Sequence, residues 1–254
     1  MRVRSDVSAA EETWQQPSQL PALTGDAIHV WRLRRTERVA NEDYLAYLEP
    51  EESARASRLL FPADREQSIA SRGTLRLLLA HYTGAARPCD LRFALGEHGK
   101  PYLADSDLRF NLSHTRDLAL FAFARDIDLG IDLEQIRPAV DLDAVAEQNF
   151  APSEREALLA LPQTERTRAF YRCWTRKEAL LKAEGTGLFR ALDTFAVSLL
   201  PGEPARVIAG AAGWELQHID VAPNAVGAIA WEHRPPPPGI TFLDCSPSLF
   251  GART

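Results

Sequence analysis

Apolar and polar positions change period several times along this chain, and each change marks an element. Ala27 to Leu33 reads as the first core strand. Ahead of it, residues 1–25 are polar, carry Pro17 and Pro21 and hold no steady period, so a loose N-terminal arm is expected. Asn41 is placed to cap a short helix, and Pro50 with Glu51 and Glu52 behind it opens another that runs to about Phe61. Pro62 then starts a longer helix, to about Tyr82, closed by Gly84. On it Arg65, Arg72 and Arg76 share one face and predict a basic stripe, while Leu75, Leu78, Leu79 and Tyr82 supply apolar contacts.

From Leu91 to Glu134 the pattern shortens to alternating segments, at Arg109–His114, Leu118–Ala124 and Asp128–Glu134, which predict sheet. Helical spacing returns over Asp141–Leu161 and Gln163–Ala183, the second ending before Gly185 and Gly187. Strands follow at Thr194–Leu199, Trp214–Val221 and Ala225–Trp231. Helices followed by antiparallel-looking strands thus occur twice, which predicts an α+β protein of two similar lobes, 26–125 and 126–232. Pro235 to Pro238 is a polyproline stretch, and 233–254 is expected to be a peripheral, Pro-rich C-terminal tail.

Composition narrows the class. Of 254 residues 45% are hydrophobic and 25% charged, enough to bury a real core. No apolar run approaches the roughly 20 residues of a membrane span. The first residues mix Arg2, Arg4, Asp6, Glu11 and Glu12 without the apolar centre of a secretory signal, so a cytoplasmic protein is expected. Cys89, Cys173 and Cys245 are odd in number and widely spaced, against both a disulfide framework and a CxxC metal site. A net charge of −6 disfavours nonspecific nucleic-acid binding. Among 29 basic residues only Lys100, Lys177 and Lys182 are lysines, a placement that marks sites needing a compact, tunable charge or is simply chance.

Four segments carry candidate chemistry. In Gly130-Ile131-Asp132-Leu133-Glu134 both carboxylates project from one face of a strand, where they repel unless a cation, for which a hard divalent ion is suited, lies between them. An acidic outer strand face is the plainer reading. In Trp174-Thr175-Arg176-Lys177-Glu178-Ala179-Leu180-Leu181-Lys182, residues Trp174, Glu178 and Lys182 lie on one helical face. They form either a surface ion pair beside a half-buried Trp, or a third carboxylate for the same cation with an ammonium facing a phosphate. Ser113 and His114 of Phe110-Asn111-Leu112-Ser113-His114-Thr115 can hydrogen-bond an anion at a strand end, although such a histidine is more often structural. A hydrolase triad of Ser113, His114 and Asp117 is disfavoured, because neighbouring side chains on a strand diverge and no GxSxG elbow is present. Gly99-Lys100-Pro101 is a turn that can bring backbone close to a flat ring.

Taken in order and spacing, these four segments resemble the 4′-phosphopantetheinyl transferases, and among them the larger, surfactin-synthetase-activating type. The likeness runs over roughly Glu51 to Leu200, through Glu184-Gly185-Thr186-Gly187-Leu188 and the strand from Leu192. The resemblance implies transfer of phosphopantetheine from coenzyme A to a serine of an apo acyl or peptidyl carrier protein, releasing adenosine 3′,5′-bisphosphate. It implies Mg2+, with Mn2+ as a substitute, held by Asp132, Glu134 and Glu178. Lys182 would hold a pyrophosphate oxygen, and His114 with Ser113 a coenzyme A phosphate. Gly99, Lys100 and Pro101 would wall the adenine and ribose, and Arg72 would meet the 3′-phosphate with Arg55 as a further upstream cation. Glu178 is the candidate base for the serine proton, alongside a water on the metal. Glu52 stands where some relatives carry Lys. A monomer acting on fatty-acid, polyketide or nonribosomal-peptide carriers, without nucleic acid or membrane, is the implied setting. A metal-dependent phosphohydrolase or nuclease, and a noncatalytic coenzyme A-binding protein, are the alternative classes.

Overall fold

The computed structural model describes residues 13–35, 44–137 and 141–250. The expected cap at Asn41 lies outside them. The N-terminal lobe begins with β1 (Ala27–Arg34), α1 (Pro50–Ser57) and α2 (Pro62–Thr83). Helix α1 stops short of Phe61 because a residue before proline is driven out of the helical region, and Phe61 sits at φ −92°, ψ 131°. Gly84 closes α2 at φ 73°, its N–H reaching the carbonyls of Ala80 and His81. A small hairpin, β2 (Phe93–Leu95) and β3 (Pro101–Leu103), leads into β4 (Leu108–His114) and β5 (Leu118–Arg125).

The C-terminal lobe runs β6 (Leu129–Gln135), α3 (Leu142–Asn149), α4 (Pro152–Ala160), α5 (Gln163–Glu184), β7 (Ala196–Val197), β8 (Val207–Ala209), β9 (Trp214–Ala222) and β10 (Ala225–Glu232). The helix expected over 141–161 is two helices. Pro152 forces Ala151 to ψ 152°, and the break turns Phe150 into the core.

The chain's last strand corrects the expectation of a peripheral tail. β11 (Gly239–Cys245) lies parallel to β1, so one sheet has the order β11-β1-β5-β4 and the other β6-β10-β9. Both faces of β11 find neighbours. Phe242 enters the layer between the lobes and Leu243 the N-terminal core. The arm is likewise not loose from residue 13: Gln15 bonds the backbone of Phe242 and Asp244, and the Arg32 guanidinium lies 4.0 Å over the Trp14 ring while pairing with Asp244 at 2.7 Å.

Each lobe sets a 22-residue helix against antiparallel strands, α2 in one and α5 in the other. The strict alternation of β-strand side chains then makes a third apolar layer between them. Ile28 and Val30 of β1 and Leu120 and Ala122 of β5 meet Ile131 and Leu133 of β6 and Ile229 of β10. Leu129, Ile131 and Leu133 of β6 are therefore committed to the lobe junction, and Asp132 and Glu134 are turned the other way, toward α5. No described helix is long and apolar enough to cross a membrane.

Candidate active site

Close approach of α5 to β6 creates the site. A Cβ on Gly130 would stand 2.2 Å from the amide nitrogen of Ala183 and 2.3 Å from the carbonyl oxygen of Ala179, so only glycine admits the helix at this distance. The helix then delivers Trp174, Glu178 and Lys182 to the face of β6 that carries Asp132 and Glu134. Together with Ser113 and His114 from the end of β4 they line one cavity of about 590 Å3, walled further by Arg137 and Tyr171.

Charge in this cavity is unevenly matched. The Lys182 ammonium donates to Asp132 Oδ1 at 2.7 Å, to Ser113 Oγ at 3.2 Å and to the Ile131 carbonyl at 3.2 Å. Asp132 is 4% exposed, and its other oxygen, Oδ2, is buried without a hydrogen-bond donor. Burial first, then the neighbouring Asp132 and Glu178 carboxylates, pushes Glu134 up to about 7. Glu178 is raised by burial and by Asp132. His114 stands on the rim, its imidazole held below its usual range by lost hydration and, to a lesser degree, by the Lys182 ammonium.

The donor chemistry fits a hard cation. All three carboxylates face one cavity, one buried oxygen lacks a partner, and two groups hold protons more tightly than usual because they are buried and, to a lesser degree, because neighbouring carboxylates repel their charge. They do not stand as a finished cage: among the described residues no three His, Cys, Asp or Glu side chains converge at ligating distance. Asp132 is turned to Lys182 instead.

Other expected site residues lie apart from this cavity. The Lys100 ammonium is turned inward, donating to the carbonyls of Leu129 and Ala183 at 2.9 Å each, and burial brings it down to about 8. Lys100 and Pro101 instead wall a second cavity of about 740 Å3, with Tyr102, Arg109, Asp128 and Gly185. Gly99 takes φ 84° at the turn but lines neither cavity. The basic stripe on α2 is not an open one. Arg76 is wholly buried and donates to Glu52 at 2.6 Å and to the carbonyls of Pro88 and Leu91, while Arg72 donates to the other Glu52 oxygen at 2.5 Å and stacks over Phe93. Helical spacing puts the arginines on one face; it does not reveal that α1 presents a carboxylate to that face. Arg55 is exposed, and neither it nor Arg72 lines either cavity.

Lys177, the remaining lysine, is a core residue. Its ammonium pairs with Glu154 at 2.7 Å and donates to the carbonyls of Leu192 and Phe195. Sequence reasoning missed Arg137 and Tyr171 as cavity walls, for which the chain carries no local signal. It also missed Asn111, whose Oδ1 accepts from the Ile131 amide at 2.9 Å.

Comparison with known proteins places this two-lobed α+β chain in a family. The model of the 4′-phosphopantetheinyl transferase superfamily matches residues 128–230, and that of the 4′-phosphopantetheinyl transferase N-terminal region matches 35–125. The chain is 38% identical over 225 residues to the 4′-phosphopantetheinyl transferase HetI of Nostoc sp., covering 87% of this chain and 94% of that protein. It is 32% identical over 160 residues to the 4′-phosphopantetheinyl transferase Sfp of Bacillus subtilis, covering 63% and 70% respectively. A crystal structure of Thermotoga maritima holo-acyl-carrier-protein synthase superposes on 42% of this chain and 63% of its own, with a TM-score of 0.34 and 19% identity. The chain belongs to the 4′-phosphopantetheinyl transferase superfamily. It is an enzyme of that class, of the larger single-chain type.

Proposed function

We propose that this transferase moves 4′-phosphopantetheine from coenzyme A to a serine of an apo carrier protein in a Mg2+-dependent reaction, releasing adenosine 3′,5′-bisphosphate. The observation that carries the reading is the shared cavity of Asp132, Glu134, Glu178, Lys182 and His114, with its orphaned carboxylate oxygen. Asp132, Glu134 and Glu178 are the residues that would hold the metal. When bound, Mg2+ supplies charge neutralisation at the pyrophosphate and polarises the phosphorus under attack.

The chain's own groups do the rest. Lys182 and His114 present positive or proton-donating groups to phosphate oxygens at the cavity wall. Arg72 contributes little, since Glu52 already offsets it. The adenosine end lies against the wall that Lys100 and Pro101 form, with Lys100 acting through its backbone because its ammonium is committed elsewhere. The serine oxygen attacks the phosphorus bearing pantetheine, the bond to the departing bisphosphate breaks, and Glu178, whose affinity for a proton burial has raised, takes the serine proton. Acceleration comes from positioning and charge, with no covalent enzyme intermediate. The protein acts as a monomer, both walls of the cleft belonging to one chain.

Intact-mass spectrometry of an apo carrier protein incubated with the enzyme and coenzyme A tests this. The expected result is a gain of one phosphopantetheine that excess chelator abolishes and Asp132→Ala reduces by at least about 100-fold, roughly 3 kcal/mol of transition-state stabilisation. Transfer unaffected by chelator would remove the metal from the reading.

A further inference from the structure

The two sheets meet at their edges, β4 of one against β6 of the other, yet no backbone ladder joins them among the described residues. Side chains take its place. Asn111 Oδ1 accepts the Ile131 amide at 2.9 Å, and Ser113 Oγ accepts the Leu133 amide at 3.2 Å, so two β4 side chains two residues apart engage two β6 amides two residues apart. The amides flank Asp132. Ser113 Oγ also donates to Asp132 Oδ1 at 3.1 Å and receives Lys182 Nζ at 3.2 Å. All of these groups except Lys182 Nζ are buried, where an amide without an acceptor costs roughly 1–3 kcal/mol.

We propose that Asn111 and Ser113 are positioning residues: a side-chain ladder from the N-terminal lobe that fixes the height and rotation of β6 and so aims the Asp132 carboxylate and the Lys182 ammonium into the cavity. This inference deepens the transferase reading and rests on it. It also reassigns Ser113. The three partners of its hydroxyl are Asp132, Lys182 and the Leu133 amide, so it shapes the protein's own charges and does not serve as a phosphate ligand. The ladder stands in for backbone pairs, since β4 and β6 are edges of separate sheets that contact one another without pairing among the described residues. Groups that orient a ligating side chain commonly change metal affinity or turnover by about 10- to 100-fold when lost.

The test uses the full-length enzyme and the variants Asn111→Leu, Ser113→Ala, Asn111→Asp and Ser113→Thr. The first two remove the acceptor; the second two keep an oxygen in its place. Three readouts are taken: Mn2+ affinity with the metal alone, kcat and KM for coenzyme A in carrier modification, and hydrogen exchange resolved to single amides. Asn111→Leu is expected to speed exchange at Ile131, and Ser113→Ala at Leu133. Both are expected to weaken Mn2+ binding and lower kcat by about 10- to 100-fold, with KM for coenzyme A within about 3-fold of wild type. Asn111→Asp and Ser113→Thr are expected to restore the protection and most of the affinity. Folded Leu and Ala variants with wild-type Mn2+ affinity and kcat overturn the proposal, as do oxygen-bearing variants no better than the variants without oxygen. A rise in KM with kcat intact overturns it too, because that is the signature of a lost phosphate contact. If Asn111→Leu does not fold, Ser113→Ala, which deletes one hydroxyl, decides alone. Wild-type enzyme that modifies no carrier protein overturns the transferase reading instead, and exchange with Mn2+ affinity still decides the ladder.

Discussion

Gly130 has no side chain because the backbone of α5 occupies the place one would take. The obstacles at 2.2–2.6 Å are main-chain atoms of Ala179, Lys182 and Ala183, which cannot swing aside as a side-chain tip would. Gly130→Ala is therefore expected to cost at least ~3 kcal/mol in urea denaturation and to lower transfer activity by moving Glu178 and Lys182 off β6; a variant within 1 kcal/mol of wild type would show that the helix approaches less closely. His29 is a second residue with a measurable signature. Its Nδ1 meets the Tyr82 hydroxyl at 2.8 Å, and that hydroxyl already accepts from Trp31 Nε1 at 2.7 Å, so its proton goes to a neutral imidazole. Burial, then His81, lowers His29 from 6.5 to about 4. Between those values the unfolded chain binds a proton that the folded one does not, so stability falls as pH drops from about 6.5 toward 4, by up to about 3 kcal/mol. Denaturation at pH 7 and pH 4.5 should show the loss in wild type and a smaller one in His29→Gln.

Helix α5 is the element on which both core and chemistry depend. One face carries Trp174, Glu178 and Lys182 to the cavity, while Arg176 and Lys177 point into the lobe, where charges need partners. Arg176 donates to the Ser198 carbonyl and hydroxyl; Lys177 meets Glu154, whose other oxygen accepts the Val197 amide. The pair ties α4, α5 and β7 into one block, and both side chains are almost fully buried. Lys177→Met or Glu154→Leu leaves the other charge without its counter-ion, with an expected loss of about 3–5 kcal/mol. The double variant Lys177→Met, Glu154→Leu should cost clearly less than the two singles added, measured as a double-mutant cycle in guanidinium. Additive losses would mean that the two charges do not support one another.

At the scale of the molecule, the chain's end completes its beginning. β11 supplies an edge to β1, gives Phe242 to the layer between the lobes and Asp244 to the buried Arg32 guanidinium. Removal of residues 239–254 is expected to leave Arg32 unpaired and a hydrophobic strand edge open, so that the truncated protein aggregates or unfolds at least 10 °C lower by calorimetry. An unchanged Tm would make β11 the dispensable tail its composition suggests. The same closure explains why the arm from Trp14 is ordered: it has an indole to place under Arg32 and a backbone edge to bind.

How far each feature could be read before folding follows from the range of the interaction behind it. Alternation in Gly130–Glu134 and the four-residue spacing of Trp174, Glu178 and Lys182 are local, so the helices, the main strands and the three carboxylates that share one cavity were legible, and the four ordered segments pointed to the family. Pro152 was equally local, yet the helix break it causes was read through because apolar spacing resumes beyond it. Partners distant in sequence were not legible. Arg72 and Arg76 look like an open basic stripe until Glu52 is found against them, Lys100 looks like a ligand contact until its ammonium is seen on Leu129 and Ala183, and Lys177 looks like a site residue until Glu154 meets it. A one-dimensional pattern states which face a side chain leaves from; what stands opposite is set by packing between elements dozens to hundreds of residues apart.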